Sequence, residues 1–149
     1  MVGSRVTTPN VLEWVKNLAA ERCNQGEVVV SGGAKGVDLA AITGALDAGG
    51  QAIAILPNDL GKLAIAKSFR QHILNGDLLL LSSNEPKASF QVWRAMERNK
   101  YIYALAEQTV IVASDLKSGG TWAGAEEQLD YPVCPHIFVR YDASSEALQ

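Results

Sequence analysis

The segment Ser118-Gly119-Gly120-Thr121-Trp122-Ala123-Gly124-Ala125 joins a predicted buried strand to a predicted helix. The apolar run 109–113 precedes it, and a helical pattern follows it to about residue 130. A strand, a glycine-rich turn and a helix in this order leave backbone N–H groups free at the helix N-terminus. Those donors and the helix dipole favour an anion such as phosphate. The alternative is that Gly119 and Gly120 only form a tight turn.

Two further glycine turns follow predicted strands. The β-branched run 27–30 leads into Ser31-Gly32-Gly33-Ala34-Lys35-Gly36-Val37-Asp38, and Met1-Val2 leads into Gly3-Ser4-Arg5. The carboxyl ends of parallel strands lie at one edge of a sheet, which is where ligands bind in open α/β sheets. We therefore expect the three turns to converge at that edge and to form one anion site.

Predicted strands and helices alternate along the chain, with strands at 1–2, 27–30, 51–56, 77–81, 109–114 and 134–139. Apolar residues recur at helical spacing between them, most clearly in 9–24, 63–74 and 88–106. This alternation predicts an α/β fold with a doubly wound, mostly parallel six-stranded sheet and helices on both faces. We expect these elements to form a single domain over 1–149, with a first strand that is short or truncated.

Composition restricts the classes of function. Of the 149 residues, 48% are hydrophobic and 19% are charged, which is ordinary for a packed domain. No apolar run approaches the roughly 18 residues of a membrane span, so no membrane partner is expected. The formal net charge of −3 excludes a uniformly basic nucleic-acid binder, and any anion site must be a local patch. Two histidines and two widely separated cysteines predict no metal site, no cofactor and a reducing, cytoplasmic compartment.

Charged side chains accompany the first two turns. Arg5 follows the first strand and Lys35 lies inside the second turn, so each is a candidate phosphate contact. The alternative for both is an ordinary solvated surface residue. Asp38 lies at the start of the second helix, where it most simply caps N–H groups and complements the helix dipole.

The helix predicted over 88–106 carries a second basic group. Arg94 and Arg98 are one turn apart, and Asn99 and Lys100 follow directly. Such a segment can close over an anion, and the alternative is a solvated face paired with Glu97. Three aromatic residues on this helix are predicted to lie in the core: Phe90, Trp93 and Tyr101.

The third turn carries an aromatic residue and is followed by two carboxylates. Trp122 either stacks on a base or covers the helix start. Glu126 and Glu127 are the paired carboxylates nearest the predicted site, and neighbouring helix positions point about 100° apart. At most one of them therefore faces the site, and no catalytic residue is predicted.

The order of these motifs resembles that of the DprA/Smf family (DNA-processing protein A). Four segments match motifs of the family in the same order: Val2-Gly3-Ser4-Arg5, the second glycine turn, Arg98-Asn99-Lys100 and Ser118-Gly119-Gly120-Thr121. The resemblance implies an extended Rossmann domain that binds single-stranded DNA along a basic pocket at the carboxyl edge. It also implies a role in natural transformation and recombination, RecA as a partner, and a homodimer formed through this domain.

The resemblance implies that basic side chains and glycine backbone meet the DNA phosphates. The candidate ligand contacts, from the turns and the resemblance together, are Gly3, Ser4, Arg5, Ser31, Gly32, Gly33, Lys35, Gly36, Arg98, Asn99, Lys100, Ser118, Gly119, Gly120 and Thr121. The family usually has Arg-Asn-Arg where this chain has Arg98-Asn99-Lys100, which exchanges a bidentate guanidinium for a point charge.

The alternative function is a nucleotide-binding protein or a LOG-type nucleotide phosphoribohydrolase, which also has glycine loops after its strands. The signature of those enzymes is Pro-Gly-Gly-x-Gly-Thr-x-x-Glu. Here Ser118 replaces the proline, Trp122 the third glycine and Ala123 the threonine. The loop that would orient Glu126 is therefore altered, and single-stranded DNA or a nucleotide phosphate remains the expected ligand.

Overall fold

A computed structural model describes residues 1–114, 119–130 and 136–140. The helices are Pro9–Asn24 (α1), Val37–Asp47 (α2), Leu60–Ala64 (α3), Lys67–Asn75 (α4), Val92–Leu105 (α5) and Gly119–Leu129 (α6). The strands are Val29–Ser31 (β1), Ala52–Ile55 (β2), Leu78–Leu81 (β3), Gln108–Ile111 (β4) and His136–Val139 (β5). The predicted alternation of strands and helices is confirmed in these ranges.

All strand pairs are parallel, and the strands divide between two sheets. β1, β2 and β3 pair in that order, with Val29 opposite Ala52 and Ala52 opposite Leu78. β4 pairs with β5, with Gln108 opposite His136. The prediction of one six-stranded sheet is therefore wrong, because the described residues form five strands in two sheets.

The first predicted strand is reduced to a single bridge at Val2. The Val2 N–H donates to Val110 O, and Val112 N–H donates to Val2 O, both at 3.0 Å. These bonds make a parallel bridge to Ile111. One further bond follows, from Ser4 N–H to Ala113 O at 2.8 Å, and the chain bends at Arg5, so this segment is too short to form a ladder with β4.

The same short segment contacts the other sheet through Met1. The Met1 nitrogen donates to Val30 O at 2.7 Å, and Ser31 Oγ donates to Met1 O at 2.7 Å. The second bond comes from the Ser31 hydroxyl and not from a backbone N–H, so the contact between Met1 and β1 does not continue a regular ladder. Met1 and Val2 thus lie between β1 and β4 and connect the edges of the two sheets.

Alternating side chains give β2 an apolar residue on each face. Ala52 and Ala54 join the core cluster that contains α1 and α2, whereas Ile55 packs with Ile102 and Tyr103 of α5. Successive strand residues point to opposite faces, so helices cover the sheet from both sides. The second cluster holds fewer buried residues, because α5 is the main helix that packs on that face.

Helix boundaries follow local backbone chemistry. Thr8 takes the N-cap position of α1 and Pro9 the first helical position, as predicted, although the Thr8 side chain makes no capping hydrogen bond. The helix predicted over 63–74 is instead two helices, because Ala66 between α3 and α4 is extended with φ −62° and ψ 132°.

The segment before α5 is bonded to the loop after β2, so α5 begins later than predicted. Asp59 N–H donates to Ala88 O at 3.0 Å, and Gly61 N–H donates to Pro86 O at 2.9 Å. These bonds hold residues 86–88 outside the helix, which begins at Val92. They also place Phe90 beside the loops at the carboxyl edge.

Close packing of α2 on α1 depends on Gly44. A Cβ at Gly44 would lie 2.6 Å from both the Cα and the carbonyl oxygen of Lys16, which is far inside van der Waals contact. Ala41 and Ala45 on the same helix are fully buried. Small residues therefore let the two helices approach closely over the sheet.

Gly44→Ala is expected to lower the free energy of unfolding by about 1–3 kcal/mol, because the added methyl overlaps the α1 backbone. Gly124→Ala in α6 is the matched control, since its Cβ would meet Asn99 at an ordinary 3.5 Å. That variant is expected to gain about 0.5–1 kcal/mol from the better helix propensity of alanine. Urea denaturation measures both, and a stabilised Gly44→Ala variant would contradict the packing argument.

Candidate functional site

The loops at the carboxyl ends of the strands surround two neighbouring cavities. The larger one, named here the α6 cavity, has a volume of about 670 Å³ and contains the first residues of α6. The candidate residues that line it are Gly3, Ser4, Arg5, Arg98, Asn99, Gly119, Gly120 and Thr121. The first and third glycine turns therefore meet across one cavity, in agreement with the predicted convergence.

The second cavity, named here the lysine cavity, has a volume of about 520 Å³. Lys35 from the second glycine turn and Lys62 from α3 both line it, together with the carboxylate residue Asp59. Its other candidate residues are Arg5, Gly32, Gly33 and Arg98. Arg5 and Arg98 line both cavities, so the two form one continuous region of the carboxyl edge.

Arg5 and Phe90 form a cation–π pair where the two cavities meet. The Arg5 guanidinium carbon lies 5.2 Å from the centroid of the Phe90 ring, within the range of a favourable cation–π contact. Phe90 is 43% exposed and lines both cavities. The prediction that Phe90 lies in the core is wrong, because the loop before α5 holds it at the sheet edge. Trp93 and Tyr101 are also exposed, on the outer side of α5.

Arg98 is buried, and its observed contacts are internal. It is 4% exposed, and its Nη1 donates to Gly32 O and, at 2.9 Å, to Ile55 O. The same nitrogen lies 3.8 Å from the carboxylate of Asp38. Burial lowers the pKa of Arg98, with Arg5 acting in the same direction, while Asp38 raises it. The predicted contact of Arg98 with phosphate stays a prediction.

Asp38 accepts hydrogen bonds from two of the glycine turns. Its buried carboxylate takes the backbone N–H groups of Ala34 and Gly3 and faces Arg98. Burial raises the pKa of Asp38, and Arg98 together with those N–H groups acts in the opposite direction. Asp38 therefore does cap N–H groups, but they belong to two different turns. It occupies the N–H group of Gly3, a residue that was predicted to meet a ligand.

Three other candidate residues either pack inside the protein or pair with a neighbouring helix. Ser31 is fully buried and its hydroxyl donates to Met1 O. Gly36 has φ +86°, and a Cβ there would lie 2.6 Å from Ser4 O. Lys100 forms an ion pair with Glu127 at 2.8 Å. None of the three lines either cavity among the described residues, because each is directed into packing or onto a neighbouring helix.

The third turn is attached to α5 through Asn99, whose Nδ2 donates to Gly120 O at 3.3 Å. Gly119, Gly120 and Thr121 form the first turn of α6, so the predicted helix N-terminus does face a cavity. Trp122 is half-buried and does not line either cavity. The predicted contact of Ser118 lies outside the described residues.

Sequence reasoning missed two contributors to the lysine cavity. Lys62 and Asp59 follow β2, and the loop after this strand has the sequence Pro57-Asn58-Asp59 instead of a glycine turn. Ligands bind beyond the carboxyl ends of strands in open α/β sheets. This rule applies to the loop after β2 as well, and it could have identified Lys62 and Asp59. Asp59 also has φ +51°, the sole positive φ among the described non-glycine residues.

Two features are absent from the part of the chain that the structure describes. Within residues 1–114, 119–130 and 136–140, no group of acidic, histidine and cysteine side chains is arranged to hold a metal ion. In the same part of the chain, no helix combines the length and apolar character that crossing a membrane requires.

Comparison with known proteins gives the family. The family model described as DNA recombination-mediator protein A matches residues 1–132. The chain belongs to this family. DNA processing protein DprA of Bacillus subtilis (strain 168) is 30% identical over 125 residues, which cover 80% of this chain and 40% of that protein. The chain thus spans well under half the length of this curated relative.

Two solved structures of the family have the same fold. DprA from Streptococcus pneumoniae superposes with a TM-score of 0.79 at 24% identity, over 99% of this chain and 51% of that one. DNA processing protein A from Helicobacter pylori superposes with a TM-score of 0.71 at 28% identity, over 98% and 66% of the two chains. The H. pylori structure is described as giving insight into the single-stranded DNA binding mode of that protein.

Arg98→Gln is expected to lower the free energy of unfolding by about 3 kcal/mol near neutral pH, because it leaves Asp38 as a buried charge without its partner. Burial already raises the native pKa of Asp38 above its ordinary 3.8, so ionisation of Asp38 lowers stability as pH rises from that value. Without Arg98 the pKa of Asp38 is raised further, so this fall extends to higher pH. The difference between the variant and the wild type should therefore shrink as pH is lowered from neutrality towards the native pKa of Asp38 in the wild type.

Urea denaturation at a series of pH values measures this difference. Arg22→Gln is the control, because Arg22 pairs with Glu27 at 3.4 Å in an exposed position. Exposed pairs contribute up to about 1 kcal/mol, and no dependence on the ionisation of Asp38 is expected for this variant. A loss for Arg98→Gln that is the same at every pH would contradict the role assigned to the buried pair.

Proposed function

We propose that this chain is a single-stranded DNA-binding module that holds the phosphate backbone along the carboxyl edge of its sheets. The observation that carries the proposal is the convergence of Arg5, Lys35 and Lys62 on one cavity beside the exposed ring of Phe90. Membership of the family supports it, since a solved member is described for its single-stranded DNA binding.

The charge distribution in the lysine cavity supports an anionic ligand. Arg5, Lys35 and Lys62 line it, against the single carboxylate of Asp59. The chain as a whole carries a formal net charge of −3, so this edge is a local concentration of positive charge on an acidic protein. Attraction of phosphates by such a patch falls steeply with added salt, because binding releases counterions from the nucleic acid.

Phe90 favours a single strand over a duplex. Bases of single-stranded nucleic acid are free to stack on exposed aromatic rings, a contact that tolerates any base. Phe90 presents its ring at the meeting point of the two cavities, and Arg5 lies over it. A strand that runs past Arg5 can place a phosphate against the guanidinium and a base near the ring.

The α6 cavity supplies the second anchoring point. Gly119, Gly120 and Thr121 begin an eleven-residue helix at this cavity, and helix N-termini favour anions. Arg5 lines the same cavity. The proposed path of the strand therefore runs from the lysine cavity past Arg5 to the start of α6.

The biological role proposed from family membership is DNA processing in natural transformation and recombination in the cytoplasm, with RecA as a partner and a homodimer as the assembly. The nucleotide-hydrolase alternative receives no support from the described carboxylates near the third turn. Glu126 is exposed and lines neither cavity, and Glu127 pairs with Lys100.

Arg5→Ala and Lys35→Ala are expected to weaken the binding of labelled single-stranded oligothymidylate, because each removes a cation from the proposed path. For one lost phosphate contact, the slope of log affinity against log salt becomes shallower by about 0.7. Fluorescence anisotropy over a series of salt concentrations gives both the affinity and the slope.

Arg22→Ala is the matched control for this measurement. It removes the same charge, but Arg22 lies at the end of α1 and pairs with Glu27, ahead of the amino end of β1. Its binding curve should match that of the wild type. The proposal fails if the wild type does not bind at low salt, or if Arg22→Ala weakens binding as much as Arg5→Ala does.

A further inference from the structure

The peptide group between Gly32 and Gly33 has its two polar atoms in different environments. Its carbonyl oxygen accepts a hydrogen bond from the buried Arg98 guanidinium. In a trans peptide the C=O and the following N–H point in opposite directions. The Gly33 N–H is therefore directed away from Arg98, and Gly33 lines the lysine cavity. No acceptor in the described part of the chain takes this N–H.

The Arg98 guanidinium is itself held at a fixed position. The same nitrogen that bonds Gly32 O also donates to Ile55 O at the end of β2, and it lies 3.8 Å from Asp38. Asp38 in turn accepts the N–H groups of Gly3 and Ala34. One residue of α5 thus determines how the second turn lies relative to the first turn and to β2.

The second turn has no room for a side chain at Gly32 or at Gly33. A Cβ at Gly32 would overlap the guanidinium of Arg98 and the carboxylate of Asp38. A Cβ at Gly33 would lie 2.8 Å from Leu56 Cδ2, and its φ is +69°. The two glycines are therefore required by the approach of the buried pair on one side and by Leu56 on the other.

We infer that Arg98 is a positioning residue of the DNA site, which orients the Gly32–Gly33 peptide so that the Gly33 N–H donates to a phosphate in the lysine cavity. This inference rests on the proposed function. On this inference Arg98 affects binding through the Gly33 N–H, whereas the sequence predicted that Arg98 itself contacts a phosphate. The Arg98 guanidinium faces the Asp38 carboxylate. The negative charge of Asp38 therefore largely cancels the long-range attraction of Arg98 for phosphate.

Salt dependence separates a positioning residue from a phosphate contact. Arg98→Gln is expected to weaken oligothymidylate binding about tenfold, the effect of losing one hydrogen bond to a charged group. The slope of log affinity against log salt should stay at the wild-type value, because no phosphate-bound cation is lost. Arg5→Gln is the matched comparison, and its slope should become shallower by about 0.7.

Arg98→Lys is a second variant. It keeps a positive charge beside Asp38, so it disturbs the fold less than Arg98→Gln does. A lysine in contact with phosphate would largely preserve binding, since it acts as a point charge. The lysine ammonium is one bond closer to the backbone than Arg98 Nη1, the nitrogen that contacts Gly32 O, Ile55 O and Asp38. It therefore falls short of those oxygens, and the positioning role predicts that Arg98→Lys also binds more weakly. Circular dichroism and urea denaturation establish that each variant is folded at the assay temperature.

The inference is overturned by any of three results. One is an Arg98→Gln slope that becomes shallower like that of Arg5→Gln. Another is full binding by Arg98→Lys. The third is unchanged affinity of folded Arg98→Gln, which would leave Arg98 with a role in stability alone.

An NMR measurement keeps the inference testable if the wild type does not bind DNA and the proposed function fails. The amide resonance of Gly33 should shift in Arg98→Lys, because its peptide plane changes orientation. The amide of Gly49, which has a similar φ of +73° and no atom within 4 Å of an added Cβ, should not shift. An unchanged Gly33 resonance would contradict the positioning role independently of DNA.

Discussion

The arrangement of the carboxyl edge depends on the buried pair of Arg98 and Asp38. Arg98 donates to carbonyl oxygens of the second turn and of β2, and Asp38 accepts N–H groups of the first and second turns. The two strands that these turns follow do not pair directly, since Val2 bridges to β4 and β1 belongs to the other sheet. The pair therefore supplies polar connections where the sheet is incomplete.

Burying two charges is costly, and a buried ion pair is by itself weak evidence for stability. The cost is offset only when the remaining polar atoms are satisfied. The Asp38 carboxylate accepts two N–H groups, but the buried Nε of Arg98 has no hydrogen-bond partner among the described residues. Apolar residues of similar volume would fill the same space, but they would leave the carbonyl of Gly32 and the N–H groups of Gly3 and Ala34 without partners. The pair is thus better explained by the turn geometry that it imposes than by the free energy it contributes.

Sequence patterns predicted the elements and the meeting of the turns, because both depend on local periodicity and on a rule of parallel topology. They did not predict which polar groups would be used internally. Gly3 and Ser31 carry the residue types of an anion site, yet the Gly3 N–H binds Asp38 and the Ser31 hydroxyl binds Met1 O. Those partners are distant in sequence, so only the folded chain reveals that the donors are occupied. Phe90 was misplaced for the same reason, since bonds from the loop after β2 hold it at the edge.

On the proposed function, the occupied donors also explain how an acidic domain would present a selective anion site. If every N–H group of the turns were open, any small anion could bind in them regardless of its length or its bases. Here Asp38 fills the innermost position, and the groups that remain are spread from Lys35 and Lys62 past Arg5 to the start of α6. Cations placed along a path match a ligand with repeated phosphates better than a single anion. On the proposed function, an edge built this way would favour a polymer over a small anion, while the net charge of −3 limits non-specific attraction elsewhere on the surface.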